Sequence, residues 1–323
     1  MSKKALVVGI NNYSMGPLQC CINDGASITS LLERNGDNSL NFNVKFLTDV
    51  ESKAELLSHI EALFSGTNIE TAFFYFSGHG VKTETGLNGI VVADGSVVYM
   101  SEIMHYVNSS RAQNNIIILD SCYSGALGNE DSIDNNPSIL NVGTTLMTAC
   151  DESEYSIENS IIGHGLFTQL LIDGLTGGAA DIQGNITPAG IYAYIDRSLG
   201  PWEQRPLFKT NINKAAILRT VRPKVSIDIL RNIPSYFDTI NAEYPLDPSY
   251  EFTNTPEEIH QYIRPYATDE HVAVFKELQK LVSIGLVEPV DEEHVYFAAM
   301  HNKSCRLTAV GKHYWHLAKE NRF

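Results

Sequence analysis

The sequence predicts an α/β fold in which a mostly parallel sheet is flanked by helices on both faces. Strand-like and helix-like patterns alternate over the first 220 of 323 residues, as parallel sheets require. Two strand-like segments, 72–76 and 116–119, are apolar or aromatic at every position, which is typical of strands buried on both sides. The hydrophobic fraction of 43% is sufficient for a full-sized core.

The individual elements follow from local spacing. Short apolar or alternating runs predict strands at 5–10, 43–47, 72–76, 116–119 and 144–149. Apolar residues three or four positions apart predict helices at 24–34, 52–64, 101–107, 165–175 and 188–199. The last helix has Thr187 as its N-cap and Pro188 at its first position, where both residue types are favoured.

The pattern changes near Val221. Residues 221–267 are irregular and rich in proline, which predicts a linker. Residues 268–323 predict a helix, a hairpin whose first strand is 294–300, and a final helix, an order that resembles a winged-helix unit. The chain is therefore predicted to comprise a first domain (1–220), a linker (221–267) and a small α+β winged-helix-like domain (268–323).

Composition argues against several classes of partner. The formal net charge is −15, which disfavours nucleic acid and anionic membranes. No apolar stretch approaches the roughly 18 residues that span a bilayer, and the N-terminal run is too short for a signal peptide. The odd, scattered set of five cysteines does not suggest a disulfide framework. A cytoplasmic protein is expected.

Two predicted strand ends carry reactive side chains. Segment 72–76 leads into Ser77, Gly78 and His79, and segment 116–119 leads into Asp120, Ser121 and Cys122. The carboxyl ends of neighbouring parallel strands share one edge of a sheet, so an imidazole and a thiol can meet there. A nearby imidazolium lowers the pKa of a thiol and favours the nucleophilic thiolate. Taken singly, such a Cys is more often a buried hydrophobe and such a His a loop residue.

A substrate carbonyl could also be bound at this edge. Gly80 follows His79 and leaves the backbone accessible. The N–H groups of Gly80 and Cys122 are the candidate oxyanion hole.

The strings FFYFSGHG and IIILDSCYSG resemble the His and Cys motifs of caspase-like cysteine peptidases, nearer the metacaspases and their prokaryotic relatives than animal caspases. The similarity covers about residues 3–218 and includes KALVVGINNY, CINDGAS and HGLFTQLLIDGL. It implies that His79 and Cys122 form a catalytic dyad that hydrolyses peptide bonds through a thioester. No Asn or Asp that orients the imidazole can be named from the sequence. By analogy, prokaryotic relatives suggest a stress, cell-death or antiphage role.

The resemblance also implies specificity for Arg or Lys before the scissile bond. Asp24 and Asp120 match metacaspase acids that hold a basic side chain, and Ser77 is expected in the same pocket. Alternatively, Asp24 caps the helix that follows it. Between Ala112 and Asp196 there are eleven acidic residues and no Lys or Arg, which would attract a basic segment or would simply form a solvated acidic surface.

No metal or cofactor is expected. Calcium activates several metacaspases, but Asn129 stands where that family's site has an Asp, so calcium dependence is unsupported although Glu130, Asp131 and Asp134 are close by. The Gly163-His164-Gly165 string mimics the catalytic His motif, yet it precedes a predicted helix and is interpreted as structural.

Residues 268–323 hold seven Lys or Arg against eight Asp or Glu. That balance favours a regulatory protein partner over DNA.

The sequence also allows two other interpretations of the whole chain. A caspase fold can serve as a non-catalytic signalling scaffold, and a winged helix can serve a transcription regulator. The presence of both His79 and Cys122 counts against the first reading, and the net acidity of the chain counts against the second.

Overall fold

The computed structural model describes residues 2–14, 16–82, 87–121, 140–149, 158–159, 163–200, 205–255 and 263–323. Within it the chain divides into two units, Met1–Arg222 and Pro223–Phe323. The first unit contains all of the described candidate site residues.

The strands of the first unit are β1 (Ser2–Gly9), β2 (Asn43–Thr48), β3 (Ile69–Ser77), β4 (Gly80–Lys82), β5 (Asn88–Val91), β6 (Val97–Tyr99), β7 (Asn114–Asp120), β8 (Thr144–Thr148), β9 (Glu158–Asn159), β10 (His164–Gly165), β11 (Asn185–Ile186), β12 (Leu207–Asn211) and β13 (Arg219–Thr220). Its helices are α1 (Cys21–Glu33), α2 (Lys53–Phe64), α3 (Met100–Ser109), α4 (Leu166–Asp173) and α5 (Pro188–Ser198). A π-helical turn, Gly174–Gly178, follows α4.

Six strands form the central sheet in the spatial order β12-β8-β7-β3-β1-β2. The pairs β1–β2, β1–β3, β3–β7 and β7–β8 are parallel, and only the added strand β12 pairs antiparallel, with β8. The predicted α/β fold is therefore confirmed. Because the chain moves from β1 to β2 on one side and to β3 on the other, the strand order reverses between β1 and β3. Ligands bind at the carboxyl ends of strands at such a switch point.

The sheet has a separate apolar core on each face, and β3 shows how one strand serves both. Phe74 and Phe76 pack on the face covered by α2 and α3, while Phe73 and Tyr75 pack on the opposite face with residues of α1, α4 and α5. All four side chains are fully buried. This two-sided burial explains why the strand is apolar at consecutive positions.

Two predicted helix starts are found at the expected residues. Ser52 caps α2 by accepting a hydrogen bond from the Glu55 amide, and Thr187 caps α5 by accepting one from the Gly190 amide. Pro188 is the first residue of α5. The antiparallel strand β12 and the small sheet β4-β5-β6 were not among the predicted elements.

The second unit begins earlier than the predicted winged-helix-like domain. It comprises α6 (Ile227–Tyr236), β14 (Glu243–Pro245), a 3₁₀ turn (Pro248–Tyr250), α7 (Asp269–Ser283), β15 (Val287–Pro289), α8 (Val295–Met300), β16 (Ser304–Leu307) and α9 (Ala309–Lys319). Residues of the predicted linker thus supply α6 and β14 to this unit. Leu230 and Ile233 of α6 are fully buried, a helical spacing that the neighbouring prolines obscure in the sequence.

The predicted strand at 294–300 is wrong. That segment forms α8, and β16 pairs with β14 and β15 in a three-stranded antiparallel sheet. Val295, Ala298 and Ala299 are buried, at positions i, i+3 and i+4 of a helix. The β-branched and aromatic start of the segment suggested a strand, but tertiary packing selected the helix. A winged helix is accordingly not shown for this unit.

Candidate active site

Two buried acids lie at the carboxyl edge of the sheet, beside the switch point. Asp24 lies in the first turn of α1, which follows β1, and Asp120 is the last residue of β7. Ser77 ends β3 between them, paired with Gly9 of β1 on one side and Asp120 of β7 on the other. Asp24, Ser77 and Asp120 are only 2%, 2% and 6% exposed. The sheet therefore brings together the three predicted specificity residues.

Asp24 is held from several sides. The Ser77 hydroxyl donates to its Oδ2 at 3.0 Å, and His164 Nδ1 lies 2.7 Å from its Oδ1. Burial raises the pKa of Asp24, while the hydrogen bonds from His164, Ser77 and the Gly165 amide act in the opposite direction. A net raised pKa means that burial outweighs these contacts.

The alternative that Asp24 caps its helix is wrong. The helix begins at Cys21 with Cys20 in the N-cap position, and no side chain caps it. Asp24 therefore lies inside the first turn, and its carboxylate binds groups from β3 and β10 instead of the amides of α1.

Asp120 is supported by two buried hydroxyls. Thr168 of α4 donates its hydroxyl hydrogen to Asp120 Oδ2 at 2.6 Å. Tyr75 Oη lies 2.5 Å from Thr168 Oγ1, and since that oxygen has already donated its hydrogen, Tyr75 donates to it. Burial and the charges of Asp120 and Asp24 raise the pKa of Tyr75 well above its ordinary range, so it remains a neutral donor.

Gly165 lies between the two acids. A Cβ atom on this residue would be 3.2 Å from Asp120 Oδ2 and 4.0 Å from Asp24 Oδ2. The two carboxylate oxygens are therefore no farther apart than the sum of those distances. A glycine here allows the main chain to approach both.

His79 stands two residues beyond β3 at the same edge and is half-buried. Its Nε2 lies 2.8 Å from the carbonyl oxygen of Gly16, and its ring packs at a tilt on Tyr13 with 4.6 Å between centroids. The His79 amide donates to Tyr13 Oη at 3.0 Å, and that hydroxyl donates to the Val91 carbonyl at 3.1 Å. A Cβ atom on Gly78 would overlap the Tyr13 hydroxyl, so this turn requires glycine.

The group that orients His79 is a main-chain carbonyl. Gly16 has φ +146°, in the region that favours glycine, and its oxygen can only accept. His79 Nε2 therefore carries the hydrogen, and Nδ1 is the ring nitrogen left for proton transfer. Motifs reveal side chains, so the sequence offers no signal for this contact beyond the glycine itself.

Gly80 begins β4, opposite Ile90 of β5. The Val91 amide donates to the His79 carbonyl at 2.9 Å, which makes Gly80 and Ile90 a non-hydrogen-bonded pair of the antiparallel ladder. The N–H of Gly80 consequently faces away from β5, the orientation that an oxyanion donor at the outer side of β4 needs.

Several residues discussed for the site lie outside the described ranges. The predicted nucleophile Cys122 is one of them, and the residues considered for calcium, Asn129 and the acids Glu130, Asp131 and Asp134, are the others. Among the side chains that the structure does describe, no group of three or more His, Cys, Asp and Glu converges as metal ligands. The described helices include none that is long and apolar enough to cross a bilayer.

The chain matches a known protein family over most of its length. A model of the caspase domain, Peptidase C14, matches residues 2–235. The chain belongs to the caspase domain family. This is a family of cysteine peptidases, as the motif resemblance implied, and the match runs past the first unit into α6.

Solved structures agree with the caspase-like fold. The protein GSU0716 of Geobacter sulfurreducens superposes with a TM-score of 0.51 at 18% identity, covering 69% of this chain and 98% of its own. Caspase-1 of Spodoptera frugiperda superposes with a TM-score of 0.51 at 10% identity, covering 68% of this chain and 91% of its own. No curated protein sequence matches the chain.

Three side chains that contribute to this site, Tyr13, His164 and Thr168, were not predicted from the sequence. Tyr13 and Thr168 carry no motif that would single them out. His164 was visible in the Gly163-His164-Gly165 string but was interpreted as structural because the string precedes a predicted helix. Its contact with Asp24 joins positions 140 residues apart, so no sequence pattern reveals it.

Proposed function

We propose that this caspase-domain protein is a cysteine endopeptidase that cleaves after Arg or Lys, with His79 and Cys122 as its catalytic dyad. The observation that carries the proposal is that His79 and two buried carboxylates, Asp24 and Asp120, lie at the same edge of the sheet. The strand that supplies Asp120 continues in the sequence to Ser121 and Cys122. We therefore assign the nucleophile, the base and a binding site for a cation to this edge of the sheet.

The proposed chemistry has two steps. The Cys122 thiolate attacks the scissile carbonyl carbon, and the N–H groups of Gly80 and Cys122 bind the developing oxyanion. His79 donates a proton from Nδ1 to the leaving amine, and a thioester remains on Cys122. His79 then accepts a proton from water as the water attacks the thioester, which releases the acid and restores the thiolate.

The proposed specificity rests on charge and shape. Asp24 and Asp120 present carboxylates from two sides of a small site, and a guanidinium can bind carboxylates through its fork of N–H groups. Ser77, hydrogen-bonded to Asp24, lies between them. An acidic side chain in this pocket would bring a third negative charge into a buried site, which is strongly unfavourable.

A regulatory or recruiting role for the second unit, through a protein partner, is part of the same proposal. Its support is the near balance of charge over 268–323, which lacks the excess of Lys and Arg that binding to nucleic acid requires.

The test is cleavage of a peptide library by the wild-type protein and by Cys122→Ala and His79→Ala variants. We expect cleavage after Arg and Lys, none with Cys122→Ala, and a loss of about 10²–10⁴-fold with His79→Ala. Both variants should retain the wild-type circular dichroism, because Cys and Ala are small and His79 is half-buried. Undiminished hydrolysis by Cys122→Ala would show that the mechanism is wrong.

A further inference from the structure

One short segment, residues 163–168, contacts both acids of the candidate specificity pocket. His164 Nδ1 lies 2.7 Å from Asp24 Oδ1, and the Gly165 amide also donates to Asp24. Three residues later, Thr168 donates to Asp120 Oδ2 at 2.6 Å. The two acids come from different elements, α1 and β7, and this segment is the common support behind them.

The segment is itself anchored to α1. Asn23, the residue before Asp24, donates from Nδ2 to the Gly163 carbonyl at 2.7 Å. Gly163 has φ +77°, so the chain turns there in a conformation that glycine adopts without strain. His164 and Gly165 then pair with β9 before α4 begins. The main chain around His164 is thus tied to α1 beside Asp24 and to β9.

His164 engages the oxygen of Asp24 that Ser77 does not. Ser77 binds Oδ2 and His164 binds Oδ1, so the carboxylate can neither rotate nor exchange its oxygens without losing a hydrogen bond. The His164 side chain is 15% exposed and that of Asp24 is 2% exposed. In such a site a carboxylate remains ionised only when donors or positive charges face it.

We propose that His164 is a positioning residue for specificity: its Nδ1–H holds Asp24 charged and oriented so that the pocket receives an Arg or Lys side chain. The role goes beyond the dyad but rests on the proposed function, because it requires a basic substrate. A pocket with fixed, ionised carboxylates loses little order when the cation binds. Removing the donor should therefore weaken substrate binding and leave the chemical step largely unaltered.

Three variants of His164 distinguish the contribution of its hydrogen bond to substrate binding from the contributions of side-chain volume and charge. In His164→Asn the amide nitrogen lies near the place of Nδ1, in His164→Gln it lies nearer the place of Nε2, and in His164→Ala there is no donor. His105→Ala is the matched control, since His105 is an exposed histidine on α3 of the same unit. Each protein is assayed with a pair of peptides that carry either arginine or the neutral isostere citrulline before the scissile bond.

We expect KM for the arginine peptide to rise roughly tenfold in His164→Gln and His164→Ala, with kcat within about threefold of wild type. His164→Asn should stay within about threefold of wild type in KM, and His105→Ala should be unchanged. The preference for arginine over citrulline should fall in the Gln and Ala variants alone. If the His164→Ala variant does not fold, the comparison of KM between His164→Asn and His164→Gln still tests the role of the hydrogen bond.

Three results would overturn the role of His164 while leaving the peptidase proposal intact. They are an unchanged KM in the Gln variant, equal losses for the arginine and citrulline peptides, and an Asn variant as impaired as the Gln variant. Failure of the wild-type protein to cleave after Arg or Lys would overturn both proposals together.

Discussion

The ring nitrogen Nε2 of His79 lies 2.8 Å from the carbonyl oxygen of Gly16. Because a carbonyl only accepts, this contact selects the tautomer in which Nδ1 is available for proton transfer. The main chain thus makes the contact to the imidazole that a carboxylate or amide side chain makes in many cysteine and serine hydrolases. Gly16, in the loop between β1 and α1, thus fixes the orientation of the His79 ring beyond the end of β3.

A Gly16→Ala variant tests this contact. Gly16 has φ +146° and no atom within 4 Å of the place of a Cβ, so alanine would not clash but would strain the backbone by about 1–3 kcal/mol. We expect the carbonyl to shift and kcat to fall about tenfold or more, with KM nearly unchanged. Steady-state kinetics with an arginine peptide measure both quantities.

Gly95→Ala is the matched control for strain. Gly95 also has a positive φ, +88°, and open space around its Cβ position, but it lies in the turn before β6. The Gly95→Ala variant should lose about as much stability as Gly16→Ala and keep the kcat of the wild type. Equal kcat in the two variants would contradict the role given to the Gly16 carbonyl.

The pocket acids make a separate prediction about specificity. Asp24→Asn and Asp120→Asn should each lower kcat/KM for arginine peptides by roughly two to three orders of magnitude, since breaking a buried ion pair costs about 3–5 kcal/mol and ~1.4 kcal/mol is tenfold. Titration of the active thiol gives the concentration of competent enzyme for each variant. Efficient cleavage after Asp, or indifference to both changes, would refute the assignment of a basic substrate.

The fold and this pocket differ in how far the sequence could predict them. Two-sided burial makes β3 and β7 continuous apolar runs, so both strands and their shared edge followed from pattern alone. The acids Asp24 and Asp120 were found because family resemblance marked them. In contrast, the segment 294–300 has strand-like residues, and only its contacts with the rest of the second unit make it a helix.

The supporting contacts of the site were beyond prediction for a physical reason. His164 and Asp24 are 140 positions apart, and Thr168 and Asp120 are 48 apart, so each pair depends on tertiary geometry. Gly16 contributes a carbonyl that every residue possesses. Such groups become visible only when the sheet edge is assembled.

Stability should depend on pH through Asp24. Burial raises the pKa of Asp24 above its ordinary value of 3.8, so the folded chain binds this proton more readily than the unfolded chain. Its contribution to stability is greatest below that ordinary value and is lost as the pH rises through the folded pKa. We therefore expect Asp24→Asn, which cannot ionise, to gain in melting temperature relative to wild type as the pH goes from about 4 to about 7.

Asp94 supplies a control of opposite sign. It is exposed, and hydrogen bonds from the Ser96 hydroxyl and amide lower its pKa. Stability from Asp94 is present above its ordinary pKa and lost as the pH falls through the lowered folded value. The melting temperature of Asp94→Asn should therefore fall relative to that of the wild type as the pH rises. Parallel trends for the two variants in thermal unfolding would disprove the explanation from burial.

Specificity for Arg or Lys also limits where the protein can cut itself. Residues 112–196 contain no Lys or Arg, so no self-cleavage is expected there, including the loop 127–141 that lies mostly outside the described residues. The first candidates are the basic residues at 219–231, near the boundary between the two units at 222 and 223.

The structure leaves one of these candidate cleavage sites accessible. Arg219 lies in β13, and its guanidinium donates to the carbonyls of Arg34 and Leu175, while Arg231 lies in α6. The bond after Arg222 precedes Pro223 and should resist cleavage. Lys224 is exposed and lies outside helices and strands, where proteolysis concentrates. The bond after Lys224 is therefore the predicted site.

We expect incubated wild-type protein to yield fragments 1–224 and 225–323, as measured by intact-mass spectrometry, with Cys122→Ala uncut. Lys224→Gln should abolish this cut. Lys209→Gln is the control, because Lys209 lies within β12, where it is paired with Leu146 of β8. Fragments of the wild-type protein that end between Ala112 and Asp196, and that are missing with Cys122→Ala, would refute both the specificity for basic residues and the expectation that residues 112–196 remain uncut.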